Sequence, residues 1–284
     1  MSSTQIALLG AFAGITIFIG LPIGRISGLK VSVSTLLNAA SAGVLLFLLI
    51  ETFVHGFEPV EEALLDVTTR TSGSWGEFMV RAVLFFGAFA LGLMGLVVYN
   101  RQQWRRRKLR GKSDLVIKDP QELPHQRKFP VLSDTKRLSV LIAVSIGVHN
   151  FAEGLAIGQI AASDQLSLAV LLVVGFALHN ATEGFGIVAP LAGETARPSW
   201  RFLLSVGVIA GLPTFLGTII GQSFVNENLE LLFLGLAGGS ILYVVVTLVG
   251  LSFKHSNKEM LYVGLLAGVT LGSLTELILV SAGL

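Results

Sequence analysis

Two short polar stretches interrupt the apolar segments of the chain, and they carry the side chains best suited to chemistry. GVHNFAEG (147–154) and ALHNATEG (177–184) share the pattern His-Asn-x-x-Glu-Gly. In an α-helix, residues four apart lie on one face, so each histidine lies above its glutamate with the asparagine beside them. Two such faces on antiparallel neighbouring helices would supply imidazole nitrogens, carboxylates and amide oxygens. This mixed set of donors suits Zn²⁺, Fe²⁺, Mn²⁺ and similar divalent ions.

Both stretches lie at membrane depth, where polar groups are costly. The predicted spans contain four well-embedded carboxylates, which are Glu51, Glu153, Glu183 and Glu276. A charge at the centre of a bilayer costs about 2.5–3.5 kcal/mol on insertion scales, so such groups face a partner or a cavity. A single buried histidine or asparagine is explained as readily by interhelical hydrogen bonding. Two copies of the pattern in adjacent spans favour a ligand set: His149, Asn150, Glu153, His179, Asn180 and Glu183.

The composition predicts an all-α polytopic membrane protein. Hydrophobic residues make up 52% of the 284 residues and charged residues 13%, against about 25% charged in soluble domains. Spanning helices need about 20 mostly apolar residues, and backbone groups inside lipid must be satisfied within the segment. The absence of cysteine excludes thiolate metal sites. Eight segments qualify as spans: 5–24, 33–56, 78–99, 138–161, 166–191, 200–224, 229–253 and 260–283.

The basic residues orient these spans. Eighteen of the 20 lysines and arginines fall in the odd-numbered connections, whereas the second connection (57–77) is acidic. The positive-inside rule therefore places the odd connections in the cytoplasm and both termini outside. A plasma membrane location is expected for a multi-pass protein of this kind.

The third connection divides the spans into a 3+5 arrangement. We expect helices 1–3 in residues 1–99, a basic cytoplasmic loop over 100–137, and helices 4–8 with the metal site in residues 138–284. The basic run in this loop is explained by topology or by contact with lipid headgroups, and its position against the membrane argues against a nucleic-acid partner.

Glu51 and His55 are a second candidate pair, four residues apart near the outer end of the second span. Together with the acidic second connection, they could form an entrance or auxiliary site that concentrates cations. Ordinary helix capping and solvated loop charge explain the same residues equally well.

Catalytic signatures are missing from the sequence. The order is His-x-x-x-Glu rather than the HExxH of zinc proteases, and there is no GxSxG or Walker A motif. The sequence therefore predicts a transporter rather than an enzyme. An intramembrane metal-dependent hydrolase and a metal-selective channel remain the alternatives.

At the doubled HNxxEG motif, the chain resembles the ZIP family of divalent metal-ion transporters, in its prokaryotic form. The resemblance extends over the eight spans, the outside termini and the charged third connection. It implies import of divalent cations, zinc foremost, with iron, manganese, cobalt or cadmium as alternatives. It further implies an elevator-like, alternating-access mechanism in which helices 1, 4, 5 and 6 move against helices 2, 3, 7 and 8. The metal is then a substrate rather than a cofactor, and a homodimer is expected.

The sequence departs from the family pattern in helix 6. Many bacterial members carry a Glu-Pro pair there, whereas this chain has Pro213 followed by Thr214. The missing carboxylate predicts one tight metal site and at most a weaker second one. The preferred metal and any coupling to protons are not determined by these residues, since His, Asn and Glu ligands accept several ions.

Overall fold

The described residues form a bundle of eight long α-helices without β-strands. The computed structural model describes residues 2–27, 29–69, 73–116, 133–162, 166–192, 194, 196–223, 226–253 and 258–281, with only the backbone for 103–116, 166–169, 171–172 and 278–279. The α-helices are α1 (Ser3–Ile15), α2 (Val31–Thr68), α3 (Trp75–Val116), α4 (Asp134–Ala162), α5 (Leu166–Val188), α6 (Trp200–Gly221), α7 (Glu227–Phe253) and α8 (Lys258–Ser281). The all-α prediction is therefore confirmed.

Within the described residues, seven helical segments are long and apolar enough to cross a membrane. They comprise α1 with the turns that follow it, together with α2, α3, α4, α6, α7 and α8. Helix α5 has the length of a span but is not among these seven segments of the described residues. The chain is a multi-pass membrane protein.

The first span changes its helix type half-way along. Helix α1 ends at Ile15 and continues as two 3₁₀ turns, Thr16–Ile19 and Leu21–Arg25, where one continuous helix was predicted. Pro22 lies in the second turn, where its fixed φ is tolerated at a helix start. The change leaves the Ala13 carbonyl to accept from the Thr16 hydroxyl at 2.6 Å.

Helix α2 continues 12 residues beyond the predicted span and takes in most of the acidic connection. Val60 and Ala63 are buried at 3% and 5% exposure, three residues apart on one face of this extension. Val60 packs with Phe85 of α3 and Leu231 of α7. The glutamates of the extension lie on the opposite, exposed face, so an amphipathic helix forms where the charges alone suggested a loop.

Helix α3 also extends beyond its predicted span, as far as Val116, and α4 begins at Asp134. Residues 117–132, the centre of the predicted basic loop, lie outside the described residues. Helix α4 runs without interruption through Ala152, where a proline would have displaced the ligand-bearing turn.

Close backbone contacts divide the bundle into two units. We call α1, α4, α5 and α6 the site unit, because it carries both polar motifs, and α2, α3, α7 and α8 the support unit. Where a described glycine has foreign atoms less than 3.0 Å from the position a Cβ would take, the contact lies inside one unit. Examples are Gly154 against the Thr214 carbonyl in the site unit and Gly239 against Phe89 in the support unit.

At the seam between the units, side chains from both sides pack together. Its apolar part belongs to the largest hydrophobic cluster, which joins Leu45 and Leu48 of α2 to Ile142 and Ile146 of α4 and to Val244 of α7. Among the described glycines, Gly186 faces the other unit: the Ser41 Oγ lies 3.4 Å from its Cβ position and donates to its carbonyl at 2.9 Å. The two units are therefore packed closely, without a described glycine at which their backbones meet within 3.0 Å.

Candidate metal centre

Helix α4 presents its polar motif entirely inside the protein. His149, Asn150 and Glu153 are 5%, 0% and 8% exposed. The His149 Nε2 lies 3.1 Å from Glu153 Oε1, as expected for side chains one helical turn apart.

Helix α5 repeats this arrangement. His179 is 2% exposed, and Asn180 and Glu183 are fully buried. The His179 Nε2 lies 3.7 Å from Glu183 Oε1, and the imidazole rings of His149 and His179 are 6.2 Å apart between centroids. Donor atoms of His149, His179 and Glu183 all lie within 4.8 Å of one another. The two motifs therefore converge on one point between the helices.

Hydrogen bonds to backbone carbonyls of neighbouring helices orient the two asparagine side chains. Asn150 Nδ2 donates to the Ala210 carbonyl of α6 at 3.1 Å, and Asn180 Nδ2 donates to the Ala13 carbonyl of α1 at 2.9 Å. Each amide oxygen remains buried without a hydrogen-bond partner in the described structure. The tethers fix the amide planes and leave both Oδ1 atoms available as acceptors for a cation.

The buried oxygen and nitrogen atoms of the motifs are incompletely satisfied by the protein. Among the described side chains, Glu153 Oε2, both Glu183 carboxylate oxygens and His179 Nε2 have no hydrogen-bond partner. Burial of such groups without partners is strongly unfavourable. A cation bound among them would restore the lost interactions of several groups at once.

The donor spacing matches a small divalent ion. Zinc–ligand bonds of about 2.0–2.1 Å in a tetrahedral arrangement place neighbouring donors about 3.3 Å apart. The His–Glu distances of 3.1 and 3.7 Å bracket that spacing. Two carboxylates would also balance the charge of a divalent ion in a region of low dielectric.

A cavity of about 490 Å³ leads to this centre from the acidic end of the bundle, where α2 ends and α7 begins. His149 and Glu153 form its inner wall, and exposed Glu58 and Glu62 lie on its outer wall. The predicted pair Glu51 and His55 lines the same cavity, and Glu51 Oε2 is buried without a partner. The cavity therefore connects the acidic end of the bundle with two of the candidate donors, His149 and Glu153.

Two residues of this route were not singled out from the sequence. Glu230 of α7 lines the cavity, as does Thr52, which is 1% exposed. Glu230 lies at the start of the seventh predicted span, where an acidic residue is expected from the short acidic connection before it and indicates no particular function. Thr52 follows Glu51 in the sequence. Threonine is common in membrane helices, so nothing in the sequence marks this threonine as part of a site.

Thr214 occupies a buried position in α6 beside the centre. It is fully buried, its Oγ1 has no described partner, and its carbonyl packs against Gly154, the residue after Glu153. The position thus offers a neutral hydroxyl close to the ligand helix and no carboxylate.

These features define a class of protein: a multi-pass helical membrane protein with a buried cluster of candidate metal ligands beside a cavity that opens at one end of the bundle. The family model described as ZIP Zinc transporter matches residues 100–276. The chain belongs to the ZIP zinc transporter family, as its doubled motif indicated. The family assignment classes the chain with transporters rather than enzymes.

Individual relatives agree with this assignment. The chain is 32% identical over 124 residues to the zinc transporter ZupT of Nitratidesulfovibrio vulgaris, covering 44% of this chain and 41% of the relative. It is 31% identical over 157 residues to the ZupT protein of Enterobacter sp. strain 638, covering 55% of this chain and 53% of the relative. The matches thus span about half the length of these curated relatives.

Proposed function

We propose that this protein imports divalent cations, zinc foremost, across the plasma membrane into the cytoplasm. The observation that carries the proposal is the convergence of His149, His179 and Glu183 behind an acidic cavity whose wall includes His149 and Glu153. The six ligands are those of the two motifs: His149, Asn150, Glu153, His179, Asn180 and Glu183. The names of the ZupT relatives support zinc as the substrate.

The proposed membrane orientation follows from charge. With the basic connections in the cytoplasm, the acidic end and both termini would face outside. The cavity opens at that end, which supports import and an outward-facing arrangement in our proposal. The 3+5 division around the basic loop and the residue boundaries given above belong to the same proposal.

The mechanism we propose is elevator-like alternating access. All six ligands belong to the site unit, and the backbone contacts through glycine stay inside each unit. The site unit can therefore move as a rigid body while side chains at the seam exchange partners. The protein is proposed to act as a homodimer, which cross-linking in native membranes would test.

Zinc uptake into proteoliposomes containing the purified chain tests this function directly. We expect saturable zinc uptake. Competing Fe²⁺, Mn²⁺, Co²⁺ or Cd²⁺ should reduce it, each in proportion to the affinity of the protein for that ion. Hydrolysis of a lipid or peptide without movement of metal would contradict the proposal in favour of an enzyme. Single-channel currents would contradict a carrier in favour of a pore.

The acidic cavity should accelerate capture of cations. We expect Glu58→Gln with Glu62→Gln to raise the apparent KM for zinc about three-fold at low ionic strength, because the cavity loses two charges that attract cations. High salt should abolish the difference by screening. Arg81 pairs with Glu77 and Glu227, so the changed glutamates are not its described partners.

A matched control for the cavity is available on the same helical extension. Glu61 and Asp66 are exposed and do not line the cavity. Glu61→Gln with Asp66→Asn removes the same charge and should leave KM nearly unchanged. Equal effects of the two double variants would show that general surface charge, not the cavity, attracts the ion.

The hydroxyl at Thr214 predicts the binding stoichiometry. We expect one tightly bound zinc ion per chain in equilibrium dialysis, since a second adjacent ion would add charge without an additional carboxylate. Thr214→Asp should introduce a second bound ion, whereas Thr214→Ser should leave the value at one. Two equally tight ions in the wild-type protein would refute the single-site proposal.

A further inference from the structure

The other ring nitrogen of His149 contacts the support unit. Thr52 Oγ1 of α2 lies 3.1 Å from His149 Nδ1, and both side chains are buried. The contact crosses the seam, because α2 belongs to the support unit and α4 to the site unit. His149 Nε2 faces Glu153 at the same time, so both nitrogens of this ligand have specific neighbours.

A hydroxyl is suited to this place because it can donate or accept a hydrogen bond. Without metal, a neutral imidazole with its proton on Nε2 donates to Glu153, and Nδ1 accepts from the Thr52 hydroxyl. With metal on Nε2, the proton must lie on Nδ1, which then donates to Thr52 Oγ1. The ring gives up one proton at Nε2 and takes one up at Nδ1, so its charge is unchanged.

We propose that Thr52 is a positioning residue for the metal ligand His149, and that its hydroxyl serves both tautomers of the ring. This inference rests on the proposed transport function and adds a residue of the support unit to it. Partners of the second ring nitrogen commonly fix the orientation and basicity of metal-bound histidines. Here that partner is on the opposite side of the seam from the ligand.

A consequence concerns the coupling of metal loading to movement. When the site unit moves, His149 leaves Thr52, and the hydrogen bond at Nδ1 must be remade elsewhere. The outward-facing arrangement therefore holds the ligand in the orientation required for capture, and departure from α2 removes that support. Thr52 should accordingly favour tight binding in the outward-facing arrangement.

The decisive variants differ by one functional group. Thr52→Val removes the hydroxyl at nearly constant volume, and we expect about ten-fold weaker equilibrium zinc binding with a matching rise in the KM of uptake. Thr52→Ser retains the hydroxyl and should restore both values to within about two-fold of wild type. Wild-type binding by Thr52→Val would overturn the proposal.

Thr35→Val is the matched control. Thr35 is also a buried threonine of α2, 1% exposed, but its hydroxyl donates to the Val31 carbonyl of its own helix. If the loss of any buried hydroxyl in α2 weakened zinc binding, Thr35→Val and Thr52→Val would lower the zinc affinity equally. An equal loss of zinc affinity in both variants would therefore refute a specific role for Thr52.

A measurement on the wild-type protein reports the tautomer of His149 directly. In ¹⁵N-histidine spectra, with the His149 signal assigned through His149→Ala, zinc should move the ring proton from Nε2 to Nδ1. A proton already on Nδ1 before zinc is added would contradict the exchange of tautomers. Failure of wild-type protein to bind or transport zinc would instead contradict the proposed function itself.

Discussion

Glu183→Gln should abolish zinc uptake while leaving the protein folded. Glu183 is fully buried, and neither carboxylate oxygen has a described hydrogen-bond partner. The amide preserves shape but removes one of two charges that balance the ion. An uncompensated charge at membrane depth costs about 2.5–3.5 kcal/mol, which corresponds to a loss of affinity on the order of 100-fold. Uptake in proteoliposomes and equilibrium zinc binding measure the effect.

Glu153→Gln should weaken uptake strongly as well, since Glu153 contacts His149 in the same centre. Glu259→Gln is the control, because Glu259 is an exposed residue in the first turn of α8. It should transport at the wild-type rate. Undiminished uptake by both Glu183→Gln and Glu153→Gln would eliminate the assigned centre.

The second large effect is expected from a single methyl group between α4 and α6. A Cβ at Gly154 would lie less than 3.0 Å from the Thr214 carbonyl oxygen, which is backbone and cannot rotate away. Gly154→Ala therefore forces the two helices apart at the turn that carries Glu153. Overpacking of this kind costs about 1–3 kcal/mol. We expect a melting temperature lower by roughly 3–10 °C and weakened zinc binding.

Gly95→Ala is the control for that substitution. Gly95 lies in α3, and nothing lies within 4 Å of its Cβ position. Alanine is a better helix former than glycine, so the melting temperature should stay the same or rise slightly. If Gly154→Ala were as stable as Gly95→Ala and bound zinc normally, the close packing of α4 on α6 would be wrong.

The membrane made much of the fold predictable from sequence. Length and apolar composition locate spanning helices because lipid leaves few alternatives for the backbone. The doubled His-Asn-x-x-Glu pattern identified the buried donors because helical spacing alone places them on one face. The extension of α2 was not predictable in the same way, since Val60 acquires its apolar partners only through packing against α3 and α7.

The surroundings of the donors depended on contacts between distant parts of the chain. Asn180 donates to the Ala13 carbonyl of α1, 167 positions away. Thr52 meets His149 across 97 positions of sequence. Neither pairing has a local spacing rule, so the sequence could indicate the candidate ligands but not the groups that orient them.

The separation of glycine contacts from the seam has a consequence for how this sequence can vary. Inside each unit, replacing a packed glycine forces backbones apart, so few alternatives are compatible with folding. Along the seam, side chains of different size can be exchanged with smaller penalties, since none of the described glycines fixes the spacing there. Variation should therefore be concentrated where it changes the relative stability of the two proposed transport states, and natural or engineered differences in turnover rate can arise there without loss of the proposed metal centre.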